Sequence, residues 1–393
     1  MDRKPARVSL HNLKINVSSF LIRYDIASQK IKQGKGEKIV VGMSGGVDST
    51  ATLILLKRNG WNPVGVSLKL PFWEKGKNSN ENPKSASNSI KQAKEICDKY
   101  ECEHYILDIT KDFEKTVVEY FIETLKNSQT PNPCMICNKN TKFFHLFKFA
   151  DKMKINYVAT GHYAKTYKSK KYGSYILKTA KDKTKDQTYY LSLFPKDWLE
   201  RIVFPLGEFT KNEVYKLVEN EGINFYKKES QSQDFCYIPE KEMEEFIEKE
   251  IGENPGNIVD KYGTVLGKHK GLQYYTIGQR KKIGLAGGPY YVINKNSKNN
   301  TVVVSTDKND LGKTEMHLSD VFFSNGKFYG KELKINAKIR YQQKASPAKI
   351  FPLNKDKNKY KAIFKTPQVG VTPGQYCVFY IKDLCIGSGV ISS

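Results

Sequence analysis

The stretch EKIVVGMSGGVDSTATLILLKRNG, residues 37–60, sets the strongest limit on the fold. Residues 37–43 form a short apolar run and read as a buried strand. SGGVDS (44–49) reads as a tight turn, and 50–60 as a helix closed by Gly60. A strand running through a glycine turn directly into a helix opens a βαβ unit, which needs a parallel sheet covered by helices. The following segments keep the alternation. Residues 62–70 read as a strand, 75–88 as a polar loop, 89–100 as a helix, 103–109 as a strand, 113–127 and 143–153 as helices, and 156–164 as a strand.

The alternation stops near Pro205, and 211–250 read as helical and charged. From about 255 the pattern turns to short strands and glycines. YYVINK, TVVVS, LSDVFFS, KINAKIRY, KYKAIFK and QYCVFYI alternate as in a small antiparallel barrel or sandwich. The reading is therefore an α/β domain over 37–205, a small central domain over 206–285 and a C-terminal antiparallel β-barrel over 286–393. An extension of 36 residues precedes them. It lacks the apolar core of a signal peptide, so it is an ordinary extension or an organelle transit segment.

The turn itself has chemistry. Gly45 and Gly46 let the backbone approach an anion, and the helix N-terminus behind them favours phosphate. Ser44 and Ser49 add hydroxyls, and Asp48 can hold magnesium or the loop. No Gly-Lys-Ser/Thr closes the turn, which excludes a Walker A loop. The net charge of +24 suits a polyanionic partner. Only seven of the 65 basic residues are arginine, however, so AT-rich coding explains the excess equally well. No apolar run reaches the ~18 residues of a membrane span.

Seven cysteines in 393 residues are too sparse for a disulfide scaffold and indicate a reducing compartment. Cys134 and Cys137 form a CxxC pair in TPNPCMICNKNTKF. Two metal readings compete with thiol chemistry: zinc on Cys97, Cys102, Cys134 and Cys137, or an iron–sulfur cluster on Cys134, Cys137 and Cys236. For Cys97, Cys102, Cys377 and Cys385 a small buried hydrophobe is the simpler role.

SGGVDS resembles the SGGxDS signature of the ATP pyrophosphatase (PP-loop) superfamily, whose fold is adenine nucleotide alpha hydrolase-like. TPNPCMICNKNTKF, VATGHYAK, KDQTYYL, FPLGE, SQDFCYIP, GKHKGLQYYTIGQRKKIG and VTPGQYCVFY follow in the order found in tRNA-specific 2-thiouridylases. The resemblance runs from about 38 to 393. It implies ATP-dependent 2-thiolation of the wobble uridine of tRNA, a sulfurtransferase reaction. ATP adenylates the C2 oxygen, magnesium accompanies ATP, and sulfur arrives on a cysteine persulfide. The resemblance assigns the persulfide to Cys236 and the nucleophile to Cys137, leaving a disulfide between them. Lys139 and Lys142 would favour the Cys137 thiolate.

The resemblance also implies that residues Gly42, Met43, Ser44, Gly45, Gly46, Val47, Asp48 and Ser49, with Leu68 and Gly161, line the ATP site. Asn132, Pro133 and Cys134 would meet the flipped-out base. His162, Lys185, Asp186, Gln187, Arg340, Tyr341 and Gln375 would contact tRNA. The implied partners are tRNA and a sulfur-donor protein fed by a cysteine desulfurase, with the enzyme acting as a monomer, away from membranes, in the cytoplasm or an organelle matrix. Most members of the family carry Asp where this chain has Cys134, and a thiol titrates near ~8.5 rather than ~4. Two rivals remain: a PP-loop ligase acting on a small molecule, and a tRNA-binding protein without catalysis.

Overall fold

The computed structural model describes residues 31–73, 85–223, 235–326, 330–353 and 358–392. The expected N-terminal extension lies outside the described residues as far as residue 30, and the expected polar loop as far as residue 84.

The first body is the expected parallel sheet, with strand order β3-β2-β1-β4-β7. β1 (Lys38–Gly42) lies at its centre, between β2 (Asn62–Lys69) and β4 (Tyr157–Ala159). β3 (His104–Asp108) and β7 (Ile202–Val203) extend it on either side. From β1 the chain first builds outward through β2 and β3, then returns to β1's other edge at β4. β1 is thus the point where strand order reverses, and the crevice beyond its C-terminal end is where such sheets bind ligands. SGGVDS occupies that crevice and leads into α1 (Val47–Arg58). Ala51 and Leu53–Leu56 are all buried because α1 is covered on two sides, by the sheet and by the helix over Lys211–Asn220. α2 (Ser85–Lys99) starts four residues earlier than its apolar pattern suggests.

Two long helices carry π turns. α3 (110–126) has one over Glu114–Val118, and α4 (133–152) has one over Cys137–Phe143. Such turns are rare and occur often at functional sites.

The hairpin β5 (Ala164–Ser169) and β6 (Ser174–Thr179) was not expected. It leaves the first body and joins the C-terminal sheet through β6 against β17 (Leu384–Ile391). That sheet closes into a six-stranded antiparallel barrel, β12-β15-β14-β13-β16-β17, by pairing β12 (Gly312–Phe323) with β17. The other barrel strands are β13 (Leu333–Lys338), β14 (Ser346–Pro352), β15 (Tyr360–Val369) and β16 (Tyr376–Ile381). One apolar cluster joins the barrel to the first body, running from Phe143 and Tyr189 to Tyr376, Val378 and Tyr380.

Between them lies a four-stranded sheet of β8 (Gly256–Val259), β9 (Val265–His269), β10 (Tyr291–Asn296) and β11 (Thr301–Ser305). β11 pairs with β8, so residue 286 falls inside one sheet rather than between two domains. Phe209, Val214, Leu217 and Val218 pack into the core of the first body, so residue 206 is no boundary in the packing either. The local pattern suggests breaks at 206 and 286 because the pairing and packing that span them are long-range and leave no local signal.

Candidate active site

The glycine turn folds as its composition requires. Gly45 has φ +78°, and a Cβ there would lie 2.2 Å from the carbonyl oxygen of Ser89. Gly46 caps α1 with no side chain, which leaves the first N–H groups of the helix pointing into the crevice. Ser49 Oγ donates to the Gly46 carbonyl (2.9 Å), and Ser44 Oγ donates to Ser49 Oγ (3.3 Å). Met43 and Val47 are buried beneath the turn. A Cβ on Gly42 would press on Leu146 Cδ1 at 3.2 Å and Thr160 Cγ2 at 3.3 Å, so the strand end is closely packed. Leu68 ends partly buried beside it at the tip of β2.

Asp48 holds the turn. Lys211 Nζ donates to both carboxylate oxygens (2.8 and 2.7 Å), and Tyr163 Oη donates to one (2.9 Å). Tyr163 is fixed in turn by Gln187, whose Oε1 accepts from its backbone N–H (2.8 Å). Gly161 gives Asp48 room, since a Cβ there would lie 2.8 Å from the Asp48 carbonyl carbon. Lys211 and Tyr163 were not foreseen. Lys211 starts a helix behind a Thr210–Glu213 capping box, a signal that places the helix but not its reach back to Asp48.

Asn132 caps α4: its Oδ1 accepts from Met135 N (3.4 Å), and Pro133 follows at the first helical position. Gln375 Nε2 donates to the carbonyls of Thr130 (3.2 Å) and Pro131 (2.7 Å), and its Oε1 accepts from Asn132 Nδ2 (3.1 Å). Expected as a tRNA contact, Gln375 is engaged in tying the barrel to the CxxC segment. Cys134 is half-buried and Cys137 buried.

The π turn explains how Lys142 reaches Cys137. Five residues apart on an α-helix, two side chains diverge by about 140°; an i→i+5 turn brings them to one side. The Lys142 charge acts on Cys137, Cys236 and Cys134. Lys139, expected to help, instead lies over the Phe322 ring at 5.5 Å. Burial still pushes the Cys137 thiol up to about 12 against the pull of Lys142. Burial and Lys142 push His162 down to about 3, so it stays neutral, with Nδ1 2.8 Å from Thr160 Oγ1.

Cys236 is exposed, between two side chains that are not. Phe235 stacks on Phe121 (4.9 Å), and Tyr237 packs at 5.8 Å from Phe113. These aromatic anchors hold the cysteine outward. Arg340 Nη2 donates to the carbonyls of Ile277 (2.9 Å) and Gly370 (3.2 Å). Tyr341 packs against Tyr190 in a tilted arrangement, with ring centroids 4.6 Å apart, and together they offer an aromatic surface. Asp186 departs from expectation. It is buried and accepts from Ala180 N (3.0 Å) and Thr188 Oγ1 (2.7 Å), so it braces its own loop rather than facing solvent. Its neighbours Lys185 and Gln187 do face the site.

These groups meet in one cavity of ≈ 730 Å³. Asp48 and Lys211 stand in its wall with Cys134, Cys137 and Cys236, as do Arg340 and Tyr341. Among the described residues, four cations (Lys142, Lys185, Lys211 and Arg340) line it against one carboxylate, Asp48. Among the described residues, no three His, Cys, Asp or Glu side chains converge so as to hold a metal ion. No helix among them is long and apolar enough to cross a membrane.

The buried thiols carry a pH consequence. Cys97 is pushed up to about 12 like Cys137, and burial raises Cys377 and Cys385 as well. The folded chain then keeps protons that the unfolded chain loses above its thiol pKa, so stability falls as pH rises through about 9. Each such thiol removes about 1.4 kcal/mol per pH unit there. Urea unfolding at about pH 7.5, 9 and 10 should show this decline, and a flat profile would refute it.

A strand–glycine turn–helix at the switch point of a parallel sheet, opening on a basic cavity lined with thiols, defines a PP-loop nucleotide-binding protein with sulfur chemistry. The chain belongs to the tRNA-specific 2-thiouridylase family. A family model described as tRNA methyl transferase HUP domain matches 37–240. Models described as tRNA methyl transferase PRC-barrel domain and Aminomethyltransferase beta-barrel domain match 244–306 and 313–391. The tRNA-specific 2-thiouridylase MnmA of Clostridium perfringens (strain 13) is 39% identical over 362 residues, covering 91% of this chain and 99% of the relative. Those of Clostridium botulinum (strain Eklund 17B) and Clostridium beijerinckii are 38% and 37% identical over 360 residues. Each covers 91% of this chain, with 98% and 99% of the relative covered in turn.

Proposed function

We propose that this protein transfers sulfur to C2 of the wobble uridine of tRNA at the expense of ATP. The observation that carries the reading is the single cavity holding Asp48 and Lys211, the thiols Cys137 and Cys236, and the Arg340–Tyr341 surface. The uracil O2 attacks the α-phosphorus of ATP and pyrophosphate leaves, which turns O2 into part of a leaving group. The bare N-terminus of α1 and Lys211 neutralise phosphate charge, and magnesium accompanies the nucleotide. Asp48 is engaged by Lys211 and Tyr163, so its part here is to hold the turn. The base leaves its stack to reach the thiols, with Asn132 and Pro133 in the wall beside it and Tyr341 and Arg340 against the RNA.

Cys236 carries the incoming sulfur as a persulfide, loaded by a donor protein that its exposure admits. The Cys137 thiol, with Lys142 supporting its anion, attacks the inner sulfur of the persulfide. The S–S bond breaks, hydrosulfide leaves, and a Cys137–Cys236 disulfide forms. Hydrosulfide adds to C2 and AMP departs. A thiol reductant later returns the two electrons. His162, neutral, serves as a hydrogen-bonding group rather than a base. The enzyme works as a monomer in a reducing compartment, the cytoplasm or an organelle matrix.

The test is to incubate the protein with ATP, a persulfide donor and unmodified tRNA and to assay 2-thiouridine by nucleoside mass spectrometry. Thiouridine is expected only when all three are present. Pyrophosphate exchange without tRNA would favour a small-molecule ligase. tRNA binding without thiouridine under any donor would favour a non-catalytic binder.

A further inference from the structure

Three thiols face the cavity, and the sulfur transfer above uses two. Cys97, Cys102, Cys377 and Cys385 are buried in apolar clusters elsewhere. Cys134 is different: it is half-buried, opens on the same cavity as Cys137 and Cys236, and feels the same Lys142 charge. Cys134 and Cys137 lie one helical turn apart on one side of α4. Cβ atoms so spaced are about 5–6 Å apart, against ~3.5–4.5 Å in a disulfide. A small rotation closes that gap, and Cys134 sits in the first turn, where the backbone N–H groups lack intrahelical acceptors.

We propose that Cys134 is the resolving thiol that reopens the Cys137–Cys236 disulfide after each sulfur transfer, an assignment that rests on the function proposed above. The Cys134 thiolate attacks Sγ of Cys137. The Cys137–Cys236 bond breaks, a Cys134–Cys137 bond forms, and Cys236 leaves as a thiolate that takes up the proton Cys134 gave away. The disulfide is moved and no electrons are gained or lost. Cys236 is the better leaving group of the pair, because it is exposed while burial disfavours the Cys137 anion. The persulfide carrier is thereby freed to reload at once. The oxidised CxxC pair then waits for a dithiol reductant.

The experiment is one round of thiolation by the full-length protein, using ATP, glutathione persulfide and a tRNA transcript, without reductant. Acid quenching, alkylation with N-ethylmaleimide and peptide mapping then locate the disulfide for each thiouridine formed. The expected result is a Cys134–Cys137 bond with Cys236 alkylated. In Cys134→Ser, each thiouridine should instead be matched by a Cys137–Cys236 bond, and Cys236 should fail to reload as a persulfide until reductant is added, whereas in the unsubstituted protein it reloads without reductant. Thiouridine accompanied by a Cys137–Cys236 bond and an alkylated Cys134 in the unsubstituted protein overturns the proposal. So does iron in anaerobically purified protein with all three thiols protected from alkylation. Absence of thiouridine with every donor overturns the underlying function, and this step with it.

Discussion

Replacing Cys236 with serine is expected to abolish 2-thiouridine formation while leaving tRNA-stimulated release of pyrophosphate from ATP. Serine matches cysteine in shape but cannot carry a persulfide. The structural cost should be small, because Cys236 is exposed and its neighbours Phe235 and Tyr237 do the packing. Substitutions at such exposed positions usually stay within about 0.5 kcal/mol. The melting temperature should therefore hold while sulfur transfer disappears. Cys137→Ser should differ in a readable way. It blocks release of sulfur rather than its loading, so persulfide should accumulate on Cys236 and be visible by mass spectrometry. Thiouridine made at the normal rate by Cys236→Ser would sink the mechanism. A small-molecule ligase would be indifferent to the change.

The local parts of this site were legible in the chain, and the cross-chain parts were not. SGGVDS specifies its own turn, because only glycine tolerates the backbone at Gly45 and the approach of Ser89. The strand and helix of 37–60 and most of the barrel strands follow from apolar periodicity. The hairpin 164–179 escaped because its partner, β17, is some two hundred residues away and no local pattern names it. Lys211 escaped for the same reason: it is one lysine among dozens, and its value comes from Asp48, 163 positions earlier. The resemblance to known motifs placed Asp186 and Gln375 on the RNA side. The structure gives both of them internal hydrogen-bonding work, Asp186 within its own loop and Gln375 across to the CxxC segment. Lys142 shows a subtler limit. Its place beside Cys137 depends on a π turn, whereas α-helical geometry would turn it away.

Lys211→Met should cut ATP use by about 10²–10³-fold while the protein still folds. The Lys211 side chain is 11% exposed and Asp48 35%, with Nζ 2.7 Å from the carboxylate. Removing one partner of a fully buried pair costs about 3–5 kcal/mol. Asp48 keeps Tyr163 and partial access to water, so about 1–2 kcal/mol is the fair expectation once solvent screening is allowed for. That should lower the melting temperature without unfolding the chain at 25 °C. The functional loss should be larger, because the crevice would then present Asp48 to the phosphates with no cation to balance it. Losing one preorganised electrostatic group at a reacting centre costs about 10²–10³-fold in rate. tRNA-dependent pyrophosphate release should fall by that order, and so should nucleotide affinity. The double variant Asp48→Asn/Lys211→Met separates the two roles. With no carboxylate left unpaired, its stability should recover toward that of the unsubstituted protein. Its pyrophosphate release should not, if Lys211 acts on the phosphates themselves. Recovery of both would show that Lys211 only neutralises Asp48, and the phosphate role assigned to it would have to be abandoned.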